Sequence, residues 1–163
     1  MKDPDKPIQD RREALCFIAH FIGDLPQPLH CAERTKDKGG NLVKVHLPGD
    51  TGRASNLHST WDTPMVRKAM GELTVEDFVT RRINGLTDDK RKEYQKGTLE
   101  DWILEGNKLA REKVYKDKGE KIPTEGGPYK LSDAHMKDGG EVVDVQLVKG
   151  GVRLAQFLND TFK

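Results

Sequence analysis

His20-Phe-Ile-Gly-Asp24-Leu-Pro-Gln-Pro-Leu-His30, then Asp37-Lys-Gly-Gly-Asn41, then Asn56-Leu-His58-Ser-Thr-Trp-Asp62 is the stretch that decides the reading of this chain. His20 and Asp24 are four residues apart, as are His58 and Asp62, so each pair projects from one face of a helix. Imidazole nitrogen and carboxylate oxygen are the ligand types a catalytic zinc takes when one position stays open. A lone buried histidine is most simply a hydrogen-bonded core residue. Two His–Asp pairs with His30 between them read instead as metal ligands.

The sequence around the first pair is apolar on all sides: Ala14, Leu15, Cys16, Phe17, Ile18, Ala19, Phe21 and Ile22. A helix hydrophobic all round is expected to be buried, which would put His20 and Asp24 inside the protein. A buried carboxylate needs a partner charge or a metal.

Together these blocks resemble the zinc-dependent, single-strand-specific nucleases of the S-one/P-one type, which share a fold with zinc-dependent phospholipase C. The matching elements are His20-x3-Asp24, Gln27-Pro28-Leu29-His30, Asp37-x-Gly39-Gly40-Asn41 and Asn56-Leu57-His58-x2-Trp61-Asp62. Gly150 to Asn159 resembles the closing helix of that family. The resemblance implies an endonuclease that hydrolyses single-stranded DNA or RNA to 5′-phosphorylated products with three zinc ions. His20 and Asp24 would ligate a zinc pair, with Asp24 bridging and catalytic, while His30, His58 and Asp62 would hold the third zinc. Gly39, Gly40 and Asn41 would line the nucleobase pocket.

The N-terminal tryptophan, early histidine and further Asp and His ligands of that family have no counterpart here. The chain therefore reads as the C-terminal part of such a fold, with one complete zinc site and with a second chain or an N-terminal region completing the other. An inactive zinc-binding remnant and a phospholipase C-like phosphodiesterase are the competing readings.

The 163 residues suit a single domain with a proper core. A net charge of +1 gives no overall basic field for nucleic acid, although bound zinc can supply local positive charge. No segment has transmembrane length, and Met1 to Pro7 lacks the apolar run of a signal peptide, whereas the resembled family is usually secreted or periplasmic. Cys16 and Cys31 are too few for a disulfide framework and leave pairing open.

Helical signals dominate, so the fold class is all-α with one short β element at 42–47. Thr98-Leu-Glu-Asp101 reads as a capping box opening a helix to about Tyr115, with Leu99, Trp102, Ile103, Leu109, Ala110 and Val114 on its apolar stripe. Thr74 caps a shorter helix to about Ile83. A last helix is expected over 144–159, with Val145, Val148, Val152, Ala155 and Leu158 inward and Gly150-Gly151 closely packed. The Gly-, Lys- and Asp-rich stretch 116–140 reads as a long mobile loop containing His135, and His46 reads as a surface residue of the strand.

Overall fold

The computed structural model describes residue 1 and residues 3–163. Seven helices account for most of it: α1 Ile8–Asp24, α2 Leu57–Asp62, α3 Pro64–Met70, α4 Val75–Asn84, α5 Asp88–Gln95, α6 Leu99–Leu109 and α7 Asp133–Phe162. A 3₁₀ turn at Pro28–Cys31 follows α1, and α6 runs on into a π-turn at Ala110–Val114. The mainly helical class is as expected. No helix among the described residues is long and apolar enough to cross a membrane.

The β structure is more extensive than one strand. The expected strand at 42–47 contracts to β1, Lys44–His46. It pairs antiparallel with β2 (Ser55–Asn56), Lys44 opposite Asn56, and parallel with β5 (Tyr129–Lys130), Val45 opposite Tyr129. A second ribbon pairs β3 (Lys116–Asp117) with β4 (Glu120–Lys121). Lys118 and Gly119 close it with φ of 51° and 83°, the left-handed pair that a two-residue hairpin turn requires.

The stretch 116–140 is therefore not one loop: only 122–128 forms a longer irregular segment between its strands. After β3, β4 and β5, α7 begins at Asp133, where the Ser132 hydroxyl caps the helix by accepting from His135 N. The Asp117 carboxylate fixes that start by accepting from Ser132 N at 2.8 Å. Gly139 and Gly140, whose composition reads as loop, are packing points instead. A β-carbon on Gly139 would lie 2.6 Å from Met65 Sδ, and one on Gly140 3.0 Å from Lys68 Cγ. Glycine here lets α7 lie directly against α3.

The core gathers Val43, Val45, Leu57, Trp61, Met65, Ala110, Val114, Ile122 and Leu131. The stripe of α7 that faces it is rotated from the expected one. Gly139, Val143, Gln146, Gly150 and Arg153 are buried, while Val145 and Ala155 are exposed. Polar side chains occupy that face because each has a partner: Gln146 donates to Pro26 O at 3.3 Å, and Arg153 meets Glu105 at 2.5 Å and Tyr94 O at 3.2 Å. The Thr98–Asp101 capping box forms with both of its bonds, and Thr74 caps α4. Along α6, Trp102 and Gly106 are buried, but Leu99 and Ile103 are exposed.

The apolar helix α1 departs most from expectation. Only Ile22 is buried; Leu15, Cys16 and His20 are exposed, and Phe17 and Phe21 are 58% and 60% exposed. The two phenyl rings stack on each other at 5.9 Å. The helix meets the rest of the described fold mainly along α7. The expectation of a buried His20 fails because nothing among the described residues covers this face. His46 is half-buried rather than on the surface.

Two neighbouring glycines of α7 give opposite expectations. A β-carbon at Gly150 would lie 2.9 Å from the rigid ring of Pro26, whereas at Gly151 nothing lies within 4 Å. Gly150→Ala is expected to destabilise by about 1–3 kcal/mol through overpacking. Gly151→Ala should stabilise by about 0.5–1 kcal/mol through helix propensity. Urea unfolding of both variants checks the packing of α7 against the Pro26 turn.

His135 is buried in the first turn of α7, and its Nδ1–H donates to Lys116 O at 2.9 Å. Burial holds its imidazole below the usual histidine range of 6.5, against the raising effects of the Lys116 carbonyl, Asp117 and Asp138. Below about pH 6.5 the unfolded chain thus binds a proton that the folded chain does not, so stability falls as pH drops through and below that value. Urea melts between about pH 7 and 5 should show this loss, and His135→Gln should reduce it.

Candidate metal centre

Local sequence places each ligand. Gln27 caps the 3₁₀ turn, its side-chain oxygen accepting from Leu29 N at 2.5 Å, and Pro28 supplies the fixed φ at the first position of that turn. His30 is thereby held on the turn just beyond α1. Asn56 caps α2 by accepting from Ser59 N at 2.8 Å, and the buried Leu57 and Trp61 anchor that helix. His58 and Asp62, each one position on from these anchors and so about 100° round the helix, then stand one turn apart on a more accessible side.

His30, His58 and Asp62 converge, with one ligand atom from each lying within 4.8 Å of the others. The ring centroids of His30 and His58 are 5.0 Å apart. His58 Nδ1 lies 2.7 Å from Gly39 O, and His30 Nδ1 lies 2.9 Å from Asp24 O. A carbonyl oxygen can only accept, so Nδ1 carries the proton in both rings. In the neutral imidazole Nε2 then presents a lone pair. Both lone pairs face the Asp62 carboxylate, at 3.6 Å from His30 and 3.5 Å from His58. Three electron-rich groups converging without a donor between them fit a cation. A backbone carbonyl behind each imidazole is also the usual support of a metal-bound histidine.

Around this centre are groups that the sequence pattern does not single out. Gln27 Nε2 donates to Asp62 Oδ1 at 2.9 Å, so one residue caps the turn under His30 and aims the third ligand. The loop that offers Gly39 O is strained: Thr35, Lys36, Lys38, Gly39 and Gly40 all have positive φ, between 52° and 81°. The non-glycine residues each cost about 1 kcal/mol or more in that region. Buried Asp37 offsets this cost, its Oδ1 accepting from Arg34 N, Gly40 N and Tyr115 Oη, each at 3.1 Å. Hydrogen bonds to a charged acceptor are worth about 1.5–3 kcal/mol each, so the carboxylate wins and the loop holds. Burial, then the charge of Asp37 and its hydrogen bond, push the Tyr115 hydroxyl well above the usual tyrosine range, which keeps it a donor.

The other sequence-derived candidates are placed as follows. Asp24 adjoins the centre, its Oδ2 lying 2.9 Å from His30 Nδ1, and it borders a cleft of about 320 Å³ with His30 and Asp62. His20 is exposed on α1, one turn before Asp24, and joins no ligand cluster among the described residues. Gly39 and Gly40 are buried beside His58, and a β-carbon on Gly39 would lie 2.7 Å from Leu29 O. Asn41 is exposed and its Nδ2 donates to Lys38 O at 2.9 Å, closing the turn. Cys16 and Cys31 are both free. Burial, then the Asp24 charge, raise the Cys31 thiol, which donates to Leu25 O.

The model of the S1/P1 nuclease family matches residues 1–163. The chain belongs to that family. Endonuclease 2 of Arabidopsis thaliana is 33% identical over 161 residues, a match that takes in 92% of this chain and 52% of the plant protein. Nuclease P1 of Penicillium citrinum is 28% identical over 179 residues, covering 98% of this chain and 62% of the fungal protein. Nuclease S1 of Aspergillus oryzae is 30% identical over 161 residues, covering 90% and 53%. The chain spans about half the length of the curated relatives it matches. Membership agrees with the resemblance drawn from the His20–Asp62 blocks.

Gln27→Leu removes both the cap under His30 and the donor to Asp62. Divalent-metal affinity should fall by about 10- to 100-fold, the usual cost of losing such a support. Competition against a chromophoric chelator measures it, and an unchanged affinity would remove Gln27 from the site.

Proposed function

We propose that His30, His58 and Asp62 hold a zinc ion and that the chain is the metal-binding part of a nuclease cutting phosphodiester bonds of single-stranded DNA or RNA. The observation that carries this reading is the pair of Nε2 lone pairs turned on the Asp62 carboxylate, each with its Nδ1–H engaged by a backbone carbonyl. A zinc bound there would supply Lewis-acid stabilisation of charge on the phosphoryl oxygens.

The chain's own residues do the rest. Gly39 O and Asp24 O fix the two imidazoles, and Gln27 holds Asp62. Asp24 opens onto the cleft and, with His20 a turn before it, begins a second metal site. Its remaining ligands come, on this reading, from polypeptide outside these 163 residues or from a second chain. The uncovered Phe17–Phe21 face of α1 beside His20 supports that reading. The same exposure of His20 favours, as a second reading, a zinc-binding domain without turnover of its own.

Gly39 and Gly40 keep the loop close to His58, and Asn41 stands at its exposed end. The Asn41 side-chain oxygen makes no hydrogen bond among the described residues, so it is free to accept from a base edge.

Metal content separates the readings from the absence of any site. The chain should bind zinc through one tight site, and His30→Ala should lose it with some loss of stability, because metal binding is coupled to folding. Elemental analysis of both proteins, with chelator-sensitive cleavage of single-stranded DNA, tests zinc and catalysis separately. Zinc content unchanged in His30→Ala would overturn the assignment, and chelator-sensitive cleavage would exclude the inactive domain. In a cleaving form, Asn41→Ala should cost about 1–3 kcal/mol in kcat/KM on a dinucleotide. An equal loss on an abasic phosphodiester would leave Asn41 as a turn residue.

A further inference from the structure

A cavity of about 810 Å³ lies between residues 32–34, α6, the π-turn that follows it and the β3–β4 ribbon. Its walls carry Arg34, Lys108, Arg111, Lys116 and Lys121 against two carboxylates, Glu33 and Glu112. The whole protein has a net charge of only +1, so this is a local concentration of positive charge. None of the four cations after Arg34 has a carboxylate within 4 Å among the described residues.

Arg34 makes the cavity more than a solvated surface. Its guanidinium lies over the Tyr115 ring at 4.3 Å, a stacked arrangement that holds it on the wall. Its Nε and Nη2 are buried and donate to no acceptor, with the nearest Asp37 oxygen 3.9 Å from Nε. Asp37 Oδ2 is likewise buried without a hydrogen bond and is the anion beside Nε, so what Arg34 adds to the cavity wall is its fixed positive charge. The same Tyr115 donates to Asp37, which holds the loop that orients His58. The cavity and the metal centre therefore share one rigid wall.

We propose that this basic cavity binds a phosphodiester group of the substrate strand other than the one being cut, so that the protein grips single-stranded nucleic acid at two places. The inference rests on the nuclease reading above. Lysine and arginine without carboxylate partners attract a phosphate backbone irrespective of sequence, and a strand longer than a dinucleotide can reach beyond the metal centre. Length of strand, rather than identity of base, is what the cavity reads.

The test pairs Lys108→Gln with Arg111→Gln in one variant of the 163-residue chain. Binding of a cleavage-resistant phosphorothioate dodecamer and of a dinucleotide is followed by fluorescence anisotropy across salt concentrations, and an unchanged thermal midpoint establishes folding. For the dodecamer, the slope of log affinity against log salt should shrink by about 0.7 for each phosphate that the variant no longer neutralises. The variant should lose more affinity for the dodecamer than for the dinucleotide. If both ligands weaken equally, or neither does, the proposal fails. Inorganic phosphate distinguishes the sources of the anion: if the variant loses binding of free phosphate while its dodecamer slope matches the parent's, the cavity is a free-anion pocket and the strand assignment is wrong. A reduced dodecamer slope in a chain whose zinc content His30→Ala leaves unchanged would keep the strand site and defeat the nuclease reading. Zinc lost in His30→Ala, with an unaltered dodecamer slope in the Lys108→Gln/Arg111→Gln variant, would do the reverse.

Discussion

Two backbone carbonyls determine what this site can be. Because Gly39 O and Asp24 O can only accept, they fix the Nδ1–H form of His58 and His30 and turn both Nε2 lone pairs on Asp62. Had either ring been free to flip, Nε2–H would donate to the carboxylate and the three residues would form an ordinary polar cluster. The position of Gly39 O thus sets the tautomer of His58. It explains why residues 35–40 accept five left-handed conformations, and why a buried aspartate with three donors sits among them.

The sequence was most legible where chemistry and local geometry coincide. His30, His58 and Asp62 could be grouped from spacing and resemblance because the α2 pair is one turn apart, and Gln27-Pro28 and Asn56 are capping residues that set the ligands on short, well-defined turns. The capping box at Thr98 was readable for the same reason, since its bonds span only three residues. The roles of Gln27 toward Asp62 and of Tyr115 toward Asp37 were not readable. Those bonds join residues 35 and 78 positions apart, and no local pattern encodes them.

The misread helices share a physical cause. In α7, glycines occupy the buried stripe where neighbouring elements approach closely, and Gln146 and Arg153 lie there hydrogen-bonded to backbone carbonyls, so an apolar count points to the wrong face and the wrong start. In α1 the error was opposite. An apolar surface predicts burial only when a covering element exists, and among the described residues none covers Phe17 and Phe21. That face lies on the helix whose end carries His20 and Asp24.

The central claim, that the fold holds two imidazoles with Nε2 free for a metal, is tested most directly by ¹⁵N NMR of the histidine side chains. In the metal-free chain near neutral pH, His30 and His58 should both be Nδ1–H tautomers, and added zinc should shift their Nε2 resonances while His46 and His135 stay put. Nε2–H tautomers at either position, or a zinc response that leaves His30 and His58 unmoved, would contradict the account.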